Sequence, residues 1–529
     1  MSEPSTLTKL SRYPLNTCAE MIYRNALLNP DKEAFIWRDS RITFRGYNQR
    51  VNRLVHTLYA AGLSKGDVVG TFCWNCIEVA DAFGAAMKGG FIVAPFNARL
   101  QAEEISQVIH DSGATILLVD PECAQILEQV RHQLPELGTC ISVQGEVAGC
   151  TSYDAWTAAH SEEEPEVCVD EDSPYLIIYT SGTTGAPKGA LYTQQQRLEN
   201  TRVQITSLGL RSDDRNLLIL PLFHIAASVV WSFFDAGATT ILSAMRNFSA
   251  EETLRSIAEE HATFIHIVPT QLVGFLASDE LKQHDLSCLT GIFYAASPMP
   301  LELLRQGMEV FGPIFMQAYG QSESGPDITI LPKKDHDVLD QPEERQKVLA
   351  SAGRPRPGAQ VRIVDADGHD LAHGEVGEII VRSKAVMAGY WRKPEETAAT
   401  IVDGWLHTGD MAYGDEAGYV YIVDRKKDMI ISGGENVYPR EVEEVLYRHP
   451  AVLEVAVIGL PDPRWIERVH AVVVLKQGAT AAPEELRSFC KQHLAGYKVP
   501  KSMEITTALP KNATGKILKK TLRERTANA

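Results

Sequence analysis

The stretch YLIIYTSGTTGAPKG, residues 175–189, decides how the rest of the chain reads. Its first four residues are an apolar run of strand character, so the polar residues after them form a loop leaving a strand. The loop carries Thr180, Ser181, Gly182, Thr183, Thr184, Gly185 and Lys188. Glycines let backbone N–H groups converge on an anion, the hydroxyls add donors, and Lys188 adds a point charge. That combination suits a triphosphate. It is not a Walker A loop, because Pro187 precedes Lys188 and Gly189 stands where a Ser or Thr would meet Mg2+. A merely flexible Ser/Gly turn would not need so many hydroxyls or the Pro187-Lys188-Gly189 ending.

Working outward, short apolar runs alternate with amphipathic helical segments, the pattern of a layered α/β domain. VVGTFCW (68–74), FIVAPF (91–96) and TILLVD (115–120) read as strands, with helical spacing over 77–88 and 101–111. The pattern recurs at TTILSA (239–244), TFIHIVP (263–269) and GIFYAAS (291–297), which predicts a second set of crossover units packed on the first. From about Ala359 the texture changes to short strands with Gly-Asp turns, QVRIVDADG, EVGEIIVRS and GYVYIVDR, the signature of a small antiparallel subdomain. A basic break, Asp424-Arg425-Lys426-Lys427-Asp428, precedes a tail with its own helix–strand alternation. The boundary is placed there, giving domains 1–425 and 426–529.

A chain of 529 residues exceeds one compact core, and 44% hydrophobic with 22% charged residues is the composition of a folded protein. The formal net charge of −17 argues against general binding to nucleic acid or an anionic membrane. Any polyanion must be held by local donors and cations. Nine scattered cysteines fit a reducing compartment, and Cys73 and Cys76, though spaced C-x-x-C, lack a second pair for zinc and read as incidental thiols. MSEPSTLTKL has no apolar targeting core, no apolar run is long enough to span a bilayer, and Ala527-Asn528-Ala529 is no peroxisomal address. A cytoplasmic protein without an integral membrane segment is expected.

The 179–189 string resembles the signature loop of the acyl-adenylate-forming superfamily: acyl-CoA synthetases, beetle luciferases and the adenylation domains of peptide synthetases. The resemblance runs in order from about Thr43 to Lys520. It implies a large N-terminal α/β domain of layered doubly wound sheets with a small antiparallel β subdomain, followed by a mobile α+β C-terminal domain. Pro221-Leu222-Phe223-His224 looks like the segment whose His224 gates the acyl pocket, and Ala295-Ala296-Ser297-Pro298 stands where many relatives have G-G-A-P, small residues that let adenine and acyl group approach. Gln317-Ala318-Tyr319-Gly320-Gln321-Ser322-Glu323 resembles Y-G-x-T-E. Tyr319 would stack on adenine, Ser322 would donate to the α-phosphate, and Glu323, with Thr184, would hold Mg2+. Ser322 in place of Thr keeps the hydroxyl. SAGRPRPG (351–358) looks mainly structural.

By the same resemblance, Asp410 takes the ribose hydroxyls, Arg425 adds a ribose or phosphate contact, and Lys427 is the hinge about which the small domain turns. Gly433 and Gly434 line the pantetheine tunnel, and Lys516 is the adenylation lysine, offsetting repulsion between carboxylate and α-phosphate. Two residues depart from the pattern: Ile466 where many CoA ligases carry the glycine of W-G-E, and Gln194 where relatives often have His.

The implied reaction is ATP-dependent ligation of a carboxylic acid to coenzyme A through acyl-AMP, with ATP, Mg2+ and coenzyme A required. The apolar segment IAASVVWSFFD (225–235), with no placed cation, favours a medium- or long-chain fatty acid. The alternatives are an aryl acid, or a free carrier protein as acceptor; no fused carrier is expected after Lys516. Luciferase-type oxidation and a non-catalytic relative are the readings from other classes. The partners expected are small molecules, and a homodimer is allowed.

Overall fold

Strands with no polar alternation need cover on both faces, which a parallel sheet between helical layers provides. In the computed structural model, Val68–Phe72, Ile92–Pro95 and Ile116–Val119 are buried at every residue and pair in parallel. The same holds for Thr239–Leu242, Phe264–Ile267 and Gly291–Tyr294, each buried throughout. The structure describes residues 5–14, 16–180, 187–297, 299–432, 435–511 and 517–527. Ser181, Gly182, Thr183, Thr184, Gly185, Gly433, Gly434 and Lys516 lie outside the described residues, as does Pro298.

Among the described residues the strands form two large sheets and two small ones. The eight-stranded sheet runs Gly389–Tyr390, Lys188–Thr193, Pro174–Thr180, Ile92–Pro95, Val68–Phe72, Ile116–Val119, Thr139–Ser142, Thr151–Ser152. The strands at its Gly389–Tyr390 edge are antiparallel. The nine-stranded sheet is parallel from Phe315–Gln321 through Gly291–Tyr294, Phe264–Ile267, Arg215–Leu218 and Thr239–Leu242 to Glu33–Trp37, with antiparallel strands at both ends. The two expected sets of crossover units are therefore both present. Their shared core is aromatic: Phe35 stacks on Phe234 at 5.7 Å and Phe83 meets Trp231 at 5.6 Å between ring centroids.

The antiparallel subdomain holds Ala359–Val364, Gly377–Ser383, Ile401–Val402, Trp405–Gly414 and Val420–Arg425. Beyond it, helices Pro439–Tyr447 and Pro483–His493 pack with the sheet containing Ile430–Ser432, Glu435–Val437, Val452–Asp462, Ile466–Leu475 and Ser502–Thr506. Cys73 lies just past its strand and Cys76 caps helix Ile77–Gly89; both are buried free thiols in the core. Among the described residues, no helix is long and apolar enough to cross a membrane.

His336 is fully buried between sheet and helix. The Pro332 carbonyl accepts from Nδ1 at 3.1 Å, which leaves Nε2 to accept the Tyr294 hydroxyl at 2.9 Å. Burial lowers its pKa to about 4, outweighing the Pro332 carbonyl and Asp335, which pull it up. A folded-state pKa below the unfolded value near 6.5 means the unfolded chain binds the extra proton between pH 6.5 and 4, so stability falls as pH falls through that window. The expected contribution of His336 is a loss of about 2 kcal/mol between pH 7 and pH 5. Chemical denaturation at the two pH values should show this loss shrinking in His336→Gln; an equal loss in both proteins would assign it to other groups.

Candidate active site

The loop after strand Phe315–Gln321 is set by a steric rule and then tied down. The register of this strand against Gly325–Leu331 shifts between Tyr319 and Gln321. A Cβ at Gly320 would lie 2.4 Å from the Gly325 carbonyl oxygen, so only glycine fits there. The Gln321 N–H donates to Ser324 Oγ at 2.8 Å. Tyr192, fully buried on the strand Lys188–Thr193, donates its hydroxyl to the Ser322 carbonyl and accepts the Gly325 N–H at 3.0 Å. One tyrosine thus fixes the segment carrying Ser322 and Glu323 to the neighbouring sheet.

That sheet carries Thr180 and Lys188, which bracket the Ser/Thr/Gly-rich string. Thr180 and Lys188 are cross-strand partners, and the Thr180 hydroxyl donates to the Lys188 carbonyl at 3.3 Å. Lys188 Nζ lies 5.1 Å from the centroid of the Tyr390 ring. The Tyr390 hydroxyl donates to Glu323 Oε1 at 2.9 Å. Tyr390 was missed in the sequence, where it stands 67 residues from Glu323 with no spacing signal. Burial, and then the Glu323 charge, hold its phenol above the ordinary tyrosine value, so it remains a donor.

Asp410 is the second focus. It is 4% exposed and its Oδ2 accepts from the Tyr319 hydroxyl at 2.7 Å and from Gln321 Nε2 at 2.6 Å. Arg425, its cross-strand partner, places Nε 3.2 Å from Oδ1. Gln321, the variable position of the Y-G-x-S-E string, also holds the Thr408 carbonyl at 2.8 Å and was likewise not anticipated. Each carboxylate oxygen has two lone pairs, so Oδ1 retains capacity beyond Arg425. Of the small residues, Ala295, just past strand Gly291–Tyr294, and Ala318, on strand Phe315–Gln321, share a buried cluster with Val229 and Phe233, while Gln317 and Ser297 are half-buried. Ala296 has φ +71°, a left-handed conformation that favours glycine.

The apolar 225–235 segment splits its faces. Val229 and Phe233 pack toward Ala295 and Ala318, whereas Val230, Trp231 and Phe234 point into the core shared by the two sheets. Less of it is available to a ligand than its composition implied. His224 sits beside Phe223, with ring centroids 5.4 Å apart, and burial then Arg99 lower its pKa to about 4. It is therefore neutral at pH 7 and offers no cation to a carboxylate.

The basic segment Asp424-Arg425-Lys426-Lys427-Asp428 is held from both sides. Arg440 donates to the Ile422 carbonyl at 2.7 Å, and its N–H to Asp424 Oδ2 at 3.0 Å. Arg523 pairs with Asp428 at 2.7 Å and Lys426 with Glu378 at 3.1 Å. The atoms packed around Lys427, and then the Arg425 charge, lower its pKa from the ordinary lysine value. Gln194 is structural: fully buried, it accepts the Cys18 N–H at 3.0 Å and donates to the Met87 carbonyl at 3.2 Å. Among the described residues, Asp365, Asp367 and His369 form the one cluster with metal-like spacing, but Asp365 Oδ1 is occupied by the N–H groups of its own turn.

Residues 22–391 match the model of the AMP-binding enzyme family, and 441–516 that of the AMP-binding enzyme C-terminal domain. The chain is 35% identical to a fatty acid–[acyl-carrier-protein] ligase of Streptomyces coeruleorubidus, covering 98% of both. It is 36% identical to a medium/long-chain-fatty-acid–CoA ligase of Mycobacterium tuberculosis, over 94% of this chain and 87% of that one. Its fold matches that of an anthranilate CoA ligase solved with anthranoyl-AMP, with a TM-score of 0.89, 28% identity and 98% of each chain covered.

Ile466 is 66% exposed and has φ +68°, a left-handed conformation that β-branched side chains rarely adopt. It pairs with Ser432, next to Gly433. Left-handed backbone costs a non-glycine residue about 1–2 kcal/mol, and glycine loses part of that gain in unfolded-state entropy. Ile466→Gly should therefore stabilise the C-terminal sheet by about 1 kcal/mol, read by hydrogen exchange of Val469 and Val472. Unchanged or faster exchange would show that the isoleucine is not strained.

Proposed function

The chain belongs to the AMP-binding enzyme family, and we propose that it is an ATP-dependent carboxylic acid–CoA ligase acting through acyl-AMP on a medium- or long-chain fatty acid. One convergence supports the reading: the Thr180–Lys188 hairpin, Glu323 and the Asp410–Arg425 pair meet through Tyr390, Tyr192, Tyr319 and Gln321. In this reading the loop 180–188 holds the triphosphate, Tyr319 faces adenine, and Asp410 with Arg425 holds the ribose. A Ser322 hydroxyl donor stands at the α-phosphate. Ala295, Ala296 and Ser297, with Gln317, Ala318 and Gly320, leave the room that the adenylate needs.

Mg2+ fits the donors. Glu323 offers a hard carboxylate oxygen, and among the described residues only its Oε1 takes a hydrogen bond; Thr184 is the second proposed ligand. When bound, the ion offsets phosphate charge. The chain's own residues do the remainder. Lys516 bridges the substrate carboxylate and the α-phosphate; a carboxylate oxygen attacks phosphorus and pyrophosphate leaves. The domain 426–529 then turns about Lys427, withdrawing Lys516 and bringing Gly433 and Gly434 to the thiol path. The thiol sulfur attacks the acyl carbonyl and AMP leaves. Neutral His224 gates the acyl pocket as a steric and polar group. The protein acts in the cytoplasm, as a monomer or homodimer.

The fatty-acid reading rests on the apolar wall of Val229 and Phe233 beside Ala295 and on the fatty-acid relatives. An aryl acid is the second reading, carried by the likeness to the anthranilate ligase. The first named relative uses a carrier protein, so acceptor choice is tested directly by competing CoA against holo-carriers. A carboxylate panel with ATP, scored for AMP release and acyl-CoA mass, should show highest turnover on medium or long acyl chains; activity confined to short or dicarboxylic acids would overturn the pocket reading. Lys516→Ala should lower adenylate formation by about 100-fold or more yet largely spare thioester formation from supplied acyl-AMP. Equal loss of both half-reactions would refute the two-conformation assignment.

A further inference from the structure

Lys188 and Glu323 carry opposite charges and approach the same side chain, yet they do not pair with each other. Lys188 Nζ lies over the ring face of Tyr390, 5.1 Å from its centroid, while the Tyr390 hydroxyl donates to Glu323 Oε1 at 2.9 Å. The backbone that carries the ring is tied down at several points. Gly389 and Tyr390 pair with Leu191 and Ala190, the Tyr390 N–H donates to Thr397 Oγ1 at 2.8 Å, and the Trp391 N–H donates to the Gly189 carbonyl at 2.8 Å. The Met387 N–H donates to the Glu323 carbonyl at 2.9 Å, so the same segment also fixes the backbone of Glu323.

We propose that Tyr390 is a positioning residue for the ATP–metal site: its ring separates Lys188 from Glu323 and its hydroxyl sets the rotation of the Glu323 carboxylate. The inference rests on the reading of Glu323 as a Mg2+ ligand and Lys188 as a phosphate cation. A carboxylate free to turn presents its two oxygens in many directions. One pinned through Oε1 presents Oε2 in a single direction, which is what a small octahedral ion requires. A lysine and a glutamate left in direct contact would neutralise each other and leave neither charge for phosphate or metal. The aromatic face satisfies the ammonium through its quadrupole without consuming a carboxylate.

Two substitutions divide the roles. Tyr390→Phe keeps the ring and removes the hydroxyl; Tyr390→Leu removes both. ATP binding to the whole enzyme is followed by calorimetry across a Mn2+ titration, with Glu323→Gln as reference and thermal unfolding of each variant alongside. Tyr390→Phe should raise the Mn2+ concentration for half-maximal ATP binding by about 10-fold and leave metal-free ATP affinity and the unfolding temperature unchanged. Tyr390→Leu should also weaken metal-free ATP binding, because Lys188 becomes free to pair with Glu323. If Glu323→Gln loses metal dependence and Tyr390→Phe keeps it, the positioning role is wrong and the Glu323 assignment stands. If neither variant shifts, the metal assignment itself fails and takes this inference with it. A Tyr390→Phe protein that unfolds early would make the role structural and likewise overturn it.

Discussion

A buried carboxylate has to be surrounded by donors, and the Asp410 side chain collects them from two neighbouring strands. Tyr319 and Gln321 reach it from the last parallel strand of the nine-stranded sheet, and Arg425 reaches it from its own antiparallel neighbour. These bonds, with those from Gln321 to the Thr408 carbonyl and from the Ala352 N–H to the Val420 carbonyl, register the antiparallel subdomain on the large sheet. Strand Val420–Arg425 leads directly into the basic segment that joins the C-terminal part. Removing the Asp410 side chain would leave Arg425 without its partner and the Tyr319 hydroxyl without its acceptor, so the path of both strands depends on one group.

The surroundings of Lys188 and Glu323 obey a different constraint. In the proposed reading Lys188 is a phosphate cation, and in a chain of net charge −17 a triphosphate gains nothing from the long-range field, so that local cation must be kept available. Lys188 rests on an aromatic ring rather than on a carboxylate, and the acidic Glu323 is held by a phenol rather than by a base. The two large sheets meet where these groups meet. Tyr192 adds the mechanical link, since its hydroxyl serves both the Ser322 carbonyl and the Gly325 N–H.

Much of the fold was legible because its strands are continuous apolar runs. Val68–Phe72 or Gly291–Tyr294 can be read without a partner, as burial on both faces leaves no alternation to misread. The 225–235 segment shows the limit of such reading. Its composition is largely apolar, but Trp231 and Phe234 serve the inter-sheet core while Phe233 turns toward Ala295. Apolar content says that a residue is buried and not against what. Gln194 makes the same point in polar form: a departure near the phosphate loop proved to be a clamp between Cys18 and Met87.

The sequence by itself determined the layered α/β class, the antiparallel insert and the ordered strings that carry Thr180, Lys188, Glu323 and Asp410, because each depends on neighbours a few residues away. Loop chemistry and strand character are local properties. Only the tertiary structure decided that Tyr390 stands between Lys188 and Glu323, that Gln321 completes the shell of Asp410, and that Ala296 and Ile466 occupy left-handed backbone. The side-chain pairings join residues far apart in the chain, Tyr390 to Lys188 within one sheet and Gln321 to Asp410 between two, and they form because the strands and sheets pack with one relative placement, which no single stretch of chain encodes.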